Sequence, residues 1–202
     1  EYIAITDHSQ SLKIARGLDA ARLAAQAKEI AAVRKEFPGL LILAGIEVDI
    51  LMDGRLDLAD EVLSQLDLVI ASVHSGFKQD QETMTQRIVA ALRNPHVDIL
   101  AHPSGRLLGR RPAYQVDLDT VINEAKLQGK VLEINSSPER LDLSAEWAAQ
   151  AKKLGVKLVI NTDAHSVRRL ADMEYGVSVA RRAGLEVEDI VNTWPLTRLR
   201  EL

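Results

Sequence analysis

A short apolar segment that ends in polar residues decides the predicted fold: Lys157-Leu158-Val159-Ile160-Asn161, followed at once by Thr162-Asp163-Ala164-His165. A near-continuous apolar run of this length is typical of a strand that is buried on both faces of a parallel sheet. The same arrangement occurs earlier in the chain, where one apolar run ends in Val73-His74 and another in Ala101-His102. The ends of several strands therefore carry residues that can do chemistry.

Six apolar segments alternate with amphipathic helical segments along the chain. The predicted strands are 2–6, 40–50, 66–73, 97–101, 131–135 and 157–161, and the predicted helices are 19–37, 57–65, 82–94, 117–128, 144–154 and 168–183. This alternation predicts an α/β fold, either an open doubly wound sheet or a (β/α) barrel. We favour the barrel, because an open sheet places ligand chemistry at one switch point, whereas here polar residues follow nearly every strand. No linker divides the chain, so a single domain over residues 1–202 is predicted.

The composition excludes several classes of protein. The chain has 202 residues, of which 47% are hydrophobic and 27% charged, as in ordinary globular domains. No apolar run approaches the roughly 20 residues that a membrane span needs. The absence of cysteine excludes disulfides, thiolate zinc sites and thiol nucleophiles, and it is typical of a cytoplasmic location. Because the net charge is -4, a polyanionic partner has to be held locally.

Four of the five histidines follow predicted strands, namely His8, His74, His102 and His165. A single histidine in such a place is more often structural than a ligand, but independent structural histidines have no reason to occupy equivalent ends of four strands. Glu47, late in the second strand, and Asp163, after the sixth, accompany them. Imidazole nitrogen and carboxylate oxygen together suit Zn, Mn or Fe. More than four ligands imply more than one ion, and paired ions promote hydrolysis of phosphoesters.

In order along the chain, these motifs resemble those of the PHP (polymerase and histidinol phosphatase) metal-dependent hydrolases. The resemblance is carried by Ile5-Thr6-Asp7-His8, Gly45-Ile46-Glu47, Ser72-Val73-His74-Ser75, Ala101-His102-Pro103 and Asn161-Thr162-Asp163-Ala164-His165. Three longer blocks, at 47–50, 102–111 and 132–143, are similar to the C-terminal PHP domain of bacterial family X DNA polymerases.

The resemblance implies a distorted seven-stranded (β/α) barrel that holds two to three divalent metal ions, with Mn favoured and Zn or Fe as alternatives. It implies the metal ligands His8, Glu47, His74, His102, Asp163 and His165, of which Glu47, His102 and Asp163 are also expected to be catalytic. The family's first strand, which ends in His-x-His, is expected upstream of Glu1, so the domain is expected to be N-terminally incomplete. Asp7 and Glu133 are expected to orient ligands or water without holding metal.

Several other polar residues lie near the predicted strand ends. Arg106, Arg110 and Arg111 closely follow His102 and are predicted to bind substrate phosphate, because guanidinium groups match phosphate geometry. Asn135 and Arg140, at the end of the fifth strand, are also predicted to contact substrate. In contrast, His96 is interpreted as an ordinary surface histidine, and Asp49 as part of a solvated turn.

The resemblance implies a 3′–5′ exonuclease or 3′ end-processing domain of a DNA repair polymerase, acting on DNA 3′ ends, with the polymerase domain upstream. Two alternatives stay open. One is a stand-alone PHP phosphatase that acts on histidinol phosphate or a nucleotide. The other is a non-catalytic domain that organises an attached polymerase. Substrate length separates the first two functions, and metal content together with ligand substitution separates both from the third.

Overall fold

One sheet of six parallel strands forms the centre of the fold, in a computed structural model that describes residues 2–199. The strands are β1 Tyr2–His8, β2 Leu41–Asp49, β3 Leu68–Ser72, β4 Ile99–Leu100, β5 Val131–Asn135 and β6 Leu158–Asn161. Their order across the sheet follows their order in the chain. An open doubly wound sheet reverses this order at its switch point, so the sequential order identifies a curled, barrel-type sheet of the predicted class.

Helices fill the connections between the strands. They are α1 Ala20–Glu36, α2 Asp60–Leu63, α3 Gln81–Leu92, α4 Leu118–Gln128, α5 Ala145–Leu154, α6 Met173–Arg182 and α7 Leu196–Leu199. The predicted helix 168–183 is divided into a 3-10 helix, Val167–Asp172, and α6. Other single turns, such as the 3-10 helix Lys13–Ala15, were not predicted, because three residues carry no periodic apolar pattern.

Short-range sequence signals determine where the main helices begin and end. The side chains of Asp19, Asp80 and Asp117 accept hydrogen bonds from backbone N–H groups in the first turns of α1, α3 and α4. Gly129 and Gly155 end α4 and α5 in the left-handed conformation, which glycine adopts without steric cost.

Apolar side chains cover the sheet on both faces. The larger cluster lies between sheet and helices and includes Ile46, Leu100 and Ile134. A smaller cluster on the concave face includes Ile70 and Val159 and is joined by the C-terminal segment through Val191, Trp194 and Leu199. The C-terminal segment therefore fills one end of the curled sheet, and the ends of the strands that carry polar residues face the other way. Among residues 2–199, no helix is long and apolar enough to cross a membrane.

Candidate metal centre

Three histidines surround one buried carboxylate at the carboxyl ends of the strands. Glu47 lies on β2, where register pairs it with His8, the last residue of β1. His8 Nδ1 is 3.2 Å from Glu47 Oε2. The Nε2 atoms of His74, just after β3, and His102, just after β4, are 3.4 and 3.1 Å from Glu47 Oε1. Neighbouring parallel strands thus bring these four residues to one point.

The donor atoms of this cluster fit a divalent transition-metal ion. One ligand atom each from His8, Glu47 and His74 lie within 4.8 Å of one another. His8 Nδ1, which lies 3.2 Å from Glu47 Oε2, is buried without a hydrogen-bond partner. A buried polar atom without a partner is costly, and ligation removes that cost. Imidazole and carboxylate are the donors that Zn, Mn and Fe accept.

The cluster also shifts the protonation of its members. Burial alone raises the pKa of Glu47, but the hydrogen bond with His102 and the nearby imidazoles outweigh it and hold the pKa well below its usual range. Burial lowers the pKa of His8, which favours the neutral imidazole. For His102, burial lowers the pKa, but the hydrogen bond with Glu47 outweighs it and the pKa is raised. Ionised Glu47 and neutral His8 are the forms that bind metal, whereas a metal ion would have to displace the proton that the raised pKa favours on His102.

Residues after β6 face the same cluster. The His165 ring lies 5.8 Å from the His8 ring, centroid to centroid. Asp163 Oδ2 accepts from Asn135 Nδ2 at 3.1 Å and lies 3.3 Å from Arg140 Nε. The structure therefore brings all six predicted ligands to the same ends of the strands, whereas Asn135 and Arg140, predicted as substrate contacts, both hold Asp163.

Two of the six predicted ligands have unusual backbone conformations. His102 has φ 29° and Asp163 has φ 50°, in the left-handed region that residues other than glycine rarely adopt. Backbone strain of this kind persists only where the surrounding structure enforces it, and it is concentrated at functional sites. The conformations therefore support a functional role for these two strand ends.

Glu133, on β5, forms a hydrogen bond with the backbone of His102. Its Oε2 accepts the backbone N–H of His102 at 2.7 Å, and its Oε1 accepts from Asn161 Nδ2 at 2.9 Å. Burial, assisted by the nearby charges of Asp163 and Glu47, raises the pKa of Glu133 to about 7. This carboxyl group thus contacts the backbone of a ligand residue and is only partly ionised at neutral pH.

Asp49 is a residue of this site that the sequence reasoning missed. It lies within β2 and is only 6% exposed, so its interpretation as part of a solvated turn is wrong. Its Oδ1 is 2.5 Å from His74 Nδ1, and its Oδ2 accepts from the Ser11 hydroxyl. A carboxylate on the far nitrogen of a ligating histidine fixes its tautomer and orientation. The available signal was the spacing, because residues two apart on a strand share a face, and Glu47 is two positions away.

The predicted basic rim is mostly engaged with backbone. Arg106 donates from Nε to a backbone carbonyl at 2.9 Å, and Arg111 donates from Nη2 to another at 2.8 Å. Arg110 is the exposed member, with 69% of its side chain accessible and Glu139 3.6 Å away. None of the three lines the cavity beside His8 and Glu47, and their contact with substrate stays a prediction.

Two further residues lie apart from the cluster. Asp7 is exposed and accepts a hydrogen bond from Gln26 of α1, and within residues 2–199 it makes no hydrogen bond to His8. His96 lies in the turn before β4, where its backbone N–H donates to Asn94 Oδ1 at 2.8 Å. His96 thus stands outside the group of four strand-end histidines.

The side chains of His8, Glu47, His74 and His102 form the candidate metal site, called the metal cluster below. A cavity of about 600 Å³ opens beside it. Residues of β1 form one side of it, and residues at and after the end of β6 form the other. Its polar lining includes His8, Glu47, His102, Asp163 and His165. The volume lies within the range of cavities that bind small-molecule ligands, so the cluster is accessible to a substrate of nucleotide size.

Known proteins resemble the chain in sequence and in fold. It is 51% identical over 192 residues to the DNA polymerase/3′-5′ exonuclease PolX of Bacillus subtilis, an alignment that covers 95% of this chain and 34% of that protein. It is 35% identical over 172 residues to a probable phosphatase of Thermoanaerobacter sp., with 79% of this chain and 66% of that protein covered. The chain thus spans about a third of the first relative and about two thirds of the second. No family model matches the chain.

A solved structure shares the fold. The histidinol phosphate phosphatase of Lactococcus lactis, crystallised with zinc, L-histidinol and phosphate, superimposes with a TM-score of 0.61 at 18% identity. The alignment covers 92% of this chain and 83% of that one. The sequential parallel strands, the motifs at their ends and these similarities show that the chain belongs to the PHP family, as a domain similar to the one in bacterial family X DNA polymerases.

Proposed function

We propose that the chain is a metal-dependent phosphoesterase domain and that it acts on DNA 3′ ends, as a 3′–5′ exonuclease or 3′ end-processing domain. The observation that carries this proposal is the convergence of His8, His74 and His102 on Glu47 beside an open cavity. The names of the relatives support the reaction class, because one is a polymerase with 3′-5′ exonuclease activity and another a probable phosphatase.

The six strand-end residues are the proposed ligands for two to three divalent ions, with Mn favoured: His8, Glu47, His74, His102, Asp163 and His165. When bound, such ions supply the positive charge that stabilises phosphoester displacement, and they make water more acidic. Glu47, whose pKa is lowered, contributes a full negative charge to the ligand set.

The residues around the ligands are proposed to hold them in place. Asp49 orients the His74 ring, Glu133 holds the backbone of His102, and Asn135 and Arg140 hold the Asp163 carboxylate. Exposed Arg110 remains the member of the basic rim that is available for a phosphate. Aromatic residues make up only 3% of the chain, so we propose that substrate is held by its phosphates, without reading of the bases.

The proposed setting is a repair polymerase of the cytoplasm, with residues 1–202 as a single domain and a polymerase domain upstream. PolX, of which this chain matches about a third, supports the proposed arrangement. In the proposed arrangement, the polymerase domain would extend a 3′ end that residues 1–202 trim.

The test is hydrolysis of a 5′-labelled single-stranded oligonucleotide with added Mn²⁺, run beside histidinol phosphate and a nucleoside monophosphate. We expect stepwise shortening from the 3′ end. His102→Ala removes a ligand and should abolish turnover, whereas His96→Ala is the matched control outside the cluster and should retain it.

Two other outcomes would replace this proposal. Hydrolysis of the monoesters with the oligonucleotide left intact would mean a stand-alone phosphatase. Absence of hydrolysis, together with no retained Mn, Zn or Fe by elemental analysis and no thermal stabilisation on adding them, would mean a non-catalytic domain.

A further inference from the structure

The cavity beside the metal cluster is lined by two arginines to which the proposed reaction assigns no role. Arg16 lies in the loop after β1, and Arg22 lies in the first turns of α1. Histidines apart, they are the basic residues that line this cavity in the part of the chain that the structure describes. The arginines proposed from the sequence to meet phosphate lie outside it. The side of the cavity nearest β1 is thus the basic one.

The loop that carries Arg16 is fixed to the metal cluster. Leu18 donates its backbone N–H to the carbonyl of His8 at 2.7 Å. A Cβ on Gly17 would lie 1.8 Å from the backbone oxygen of Ser9, so the loop passes too close to β1 for any larger residue. Arg22 Nη1 donates to the carbonyls of Arg16 and Gly17, at 2.8 and 3.1 Å. The backbone of Arg16 is therefore held close to the end of β1.

Neither guanidinium group is neutralised by a neighbour. Within residues 2–199, no carboxylate lies within 4.0 Å of Arg16 or Arg22, although Arg34, Arg93 and Arg140 each have such a partner. Both residues are exposed and line the cavity, so their positive charges are accessible to an anion that enters it. In a chain of net charge -4, two such charges on one fixed loop and the helix that holds it make a local site for an anion.

We propose that Arg16 and Arg22 form an anion subsite that binds a substrate phosphate other than the one being hydrolysed. The inference rests on the proposed function and narrows its substrate class to molecules with a second phosphate, such as an oligonucleotide. A phosphomonoester has a single phosphate, which binds at the metal cluster in the proposed reaction. An oligonucleotide whose 3′-terminal linkage lies at the cluster has further phosphates along its backbone, and the subsite holds one of them.

The test is the salt dependence of binding. Fluorescence anisotropy would measure the affinity for a single-stranded oligothymidylate with phosphorothioate terminal linkages, which resist hydrolysis, over a range of NaCl concentrations in Mn²⁺. For single strands, the slope of log K against log salt decreases in magnitude by about 0.7 for each phosphate contact that is lost. We expect this loss, with several-fold weaker binding, in Arg16→Gln and Arg22→Gln. Lys28→Gln is the control, because Lys28 is exposed on the same helix and does not line the cavity.

The outcomes separate the subsite from the proposed function. Arg22 also holds the loop in place, so its substitution can act indirectly. The side chain of Arg16 makes no hydrogen bond within residues 2–199, which makes Arg16→Gln the decisive variant. If Arg16→Gln keeps the wild-type slope while the wild-type protein degrades DNA, the subsite is wrong and the proposed function stands. If Arg16→Gln reduces the slope but the wild-type protein hydrolyses no phosphoester, Arg16 binds a DNA phosphate and the proposed function is wrong.

Discussion

Glu47 and Asp49 lie two positions apart on β2, and each contacts a different nitrogen of the His74 ring. Glu47 Oε1 lies 3.4 Å from His74 Nε2, and Asp49 Oδ1 lies 2.5 Å from His74 Nδ1. The imidazole is thus held between two carboxylates on one face of one strand. At the scale of the residue, Asp49 thus orients the ring of His74, which follows directly on the end of β3.

We expect Asp49→Asn to weaken metal binding by about 10- to 100-fold, because the amide cannot hold the His74 ring as a carboxylate does. Isothermal titration calorimetry of the metal-free protein with Mn²⁺ would measure the change in affinity. Asp53→Asn is the control, since Asp53 lies on the exposed loop after β2 and pairs with Arg55. Equal affinities for Asp49→Asn and the wild-type protein would show that Asp49 does not act on the ligand.

At the scale of the elements, α3 holds together the loops that follow β2 and β3. Arg87, on α3, is 3% exposed, and its guanidinium donates to the carbonyls of Ile50 at 3.1 Å and Ser75 at 2.9 Å. Burial lowers the pKa of Arg87. The first loop follows β2, which carries Glu47, and the second follows β3 and includes His74. One buried side chain therefore ties together the two segments that carry these predicted ligands.

Arg87→Met should lower the free energy of unfolding by about 1–3 kcal/mol, because it leaves buried carbonyl oxygens without donors. Urea denaturation would measure the loss. Arg55→Met is the control, because the Arg55 side chain is 78% exposed in its pair with Asp53, and it should lower the free energy of unfolding much less. Similar losses in the two variants would contradict the bridging role of Arg87.

The sequence predicted the strands well because each is a nearly continuous apolar run that ends at a polar residue. The helix predicted at 168–183 was only partly correct, since apolar periodicity does not distinguish a 3-10 turn from an α-helix. The residue types and their placement at the strand ends predicted which six side chains the fold brings together, whereas their role as metal ligands stays a prediction. Arg16 and Arg22 were not predicted as site residues, because one lies in a loop and the other in an alanine-rich helix. No local sequence pattern indicates that both line the cavity.

For the whole molecule, the two ends of the curled sheet have opposite characters. The end at the strand termini is polar and open. The other end is filled by the C-terminal segment, where the Tyr2 hydroxyl donates to the carbonyl of Val191 at 3.1 Å. Asp98, just before β4, accepts the backbone N–H of Val69 at 2.8 Å, and burial raises its pKa. A carboxylate in that position influences the pH dependence of the fold.

A folded-state pKa above the unfolded value means that Asp98 stabilises the fold at low pH, and that this stability is lost as the pH rises through the folded pKa. At neutral pH the ionised group opposes folding. Asp98→Asn keeps an acceptor for Val69, so we expect it to raise the melting temperature at pH about 7 relative to the wild-type protein, with a smaller gain below the unfolded value of about 3.9.

Thermal denaturation across this pH range would measure the difference between the proteins. Asp119→Asn, at an exposed carboxylate on α4, is the control and should change the melting temperature little at either pH. A gain for Asp98→Asn that does not depend on pH would rule out titration of Asp98 as its cause.

The sequential strand order places β1 at one border of the sheet, where its backbone meets β2 on one side. A border strand is a template for pairing with another extended chain, and natural proteins protect such strands with charge or with a cover. Ile5, near the middle of β1, is 39% exposed. Within residues 2–199, β1 therefore offers a pairing edge, and an extended segment seated on it would slow hydrogen exchange of the β1 amides, which mass spectrometry would measure.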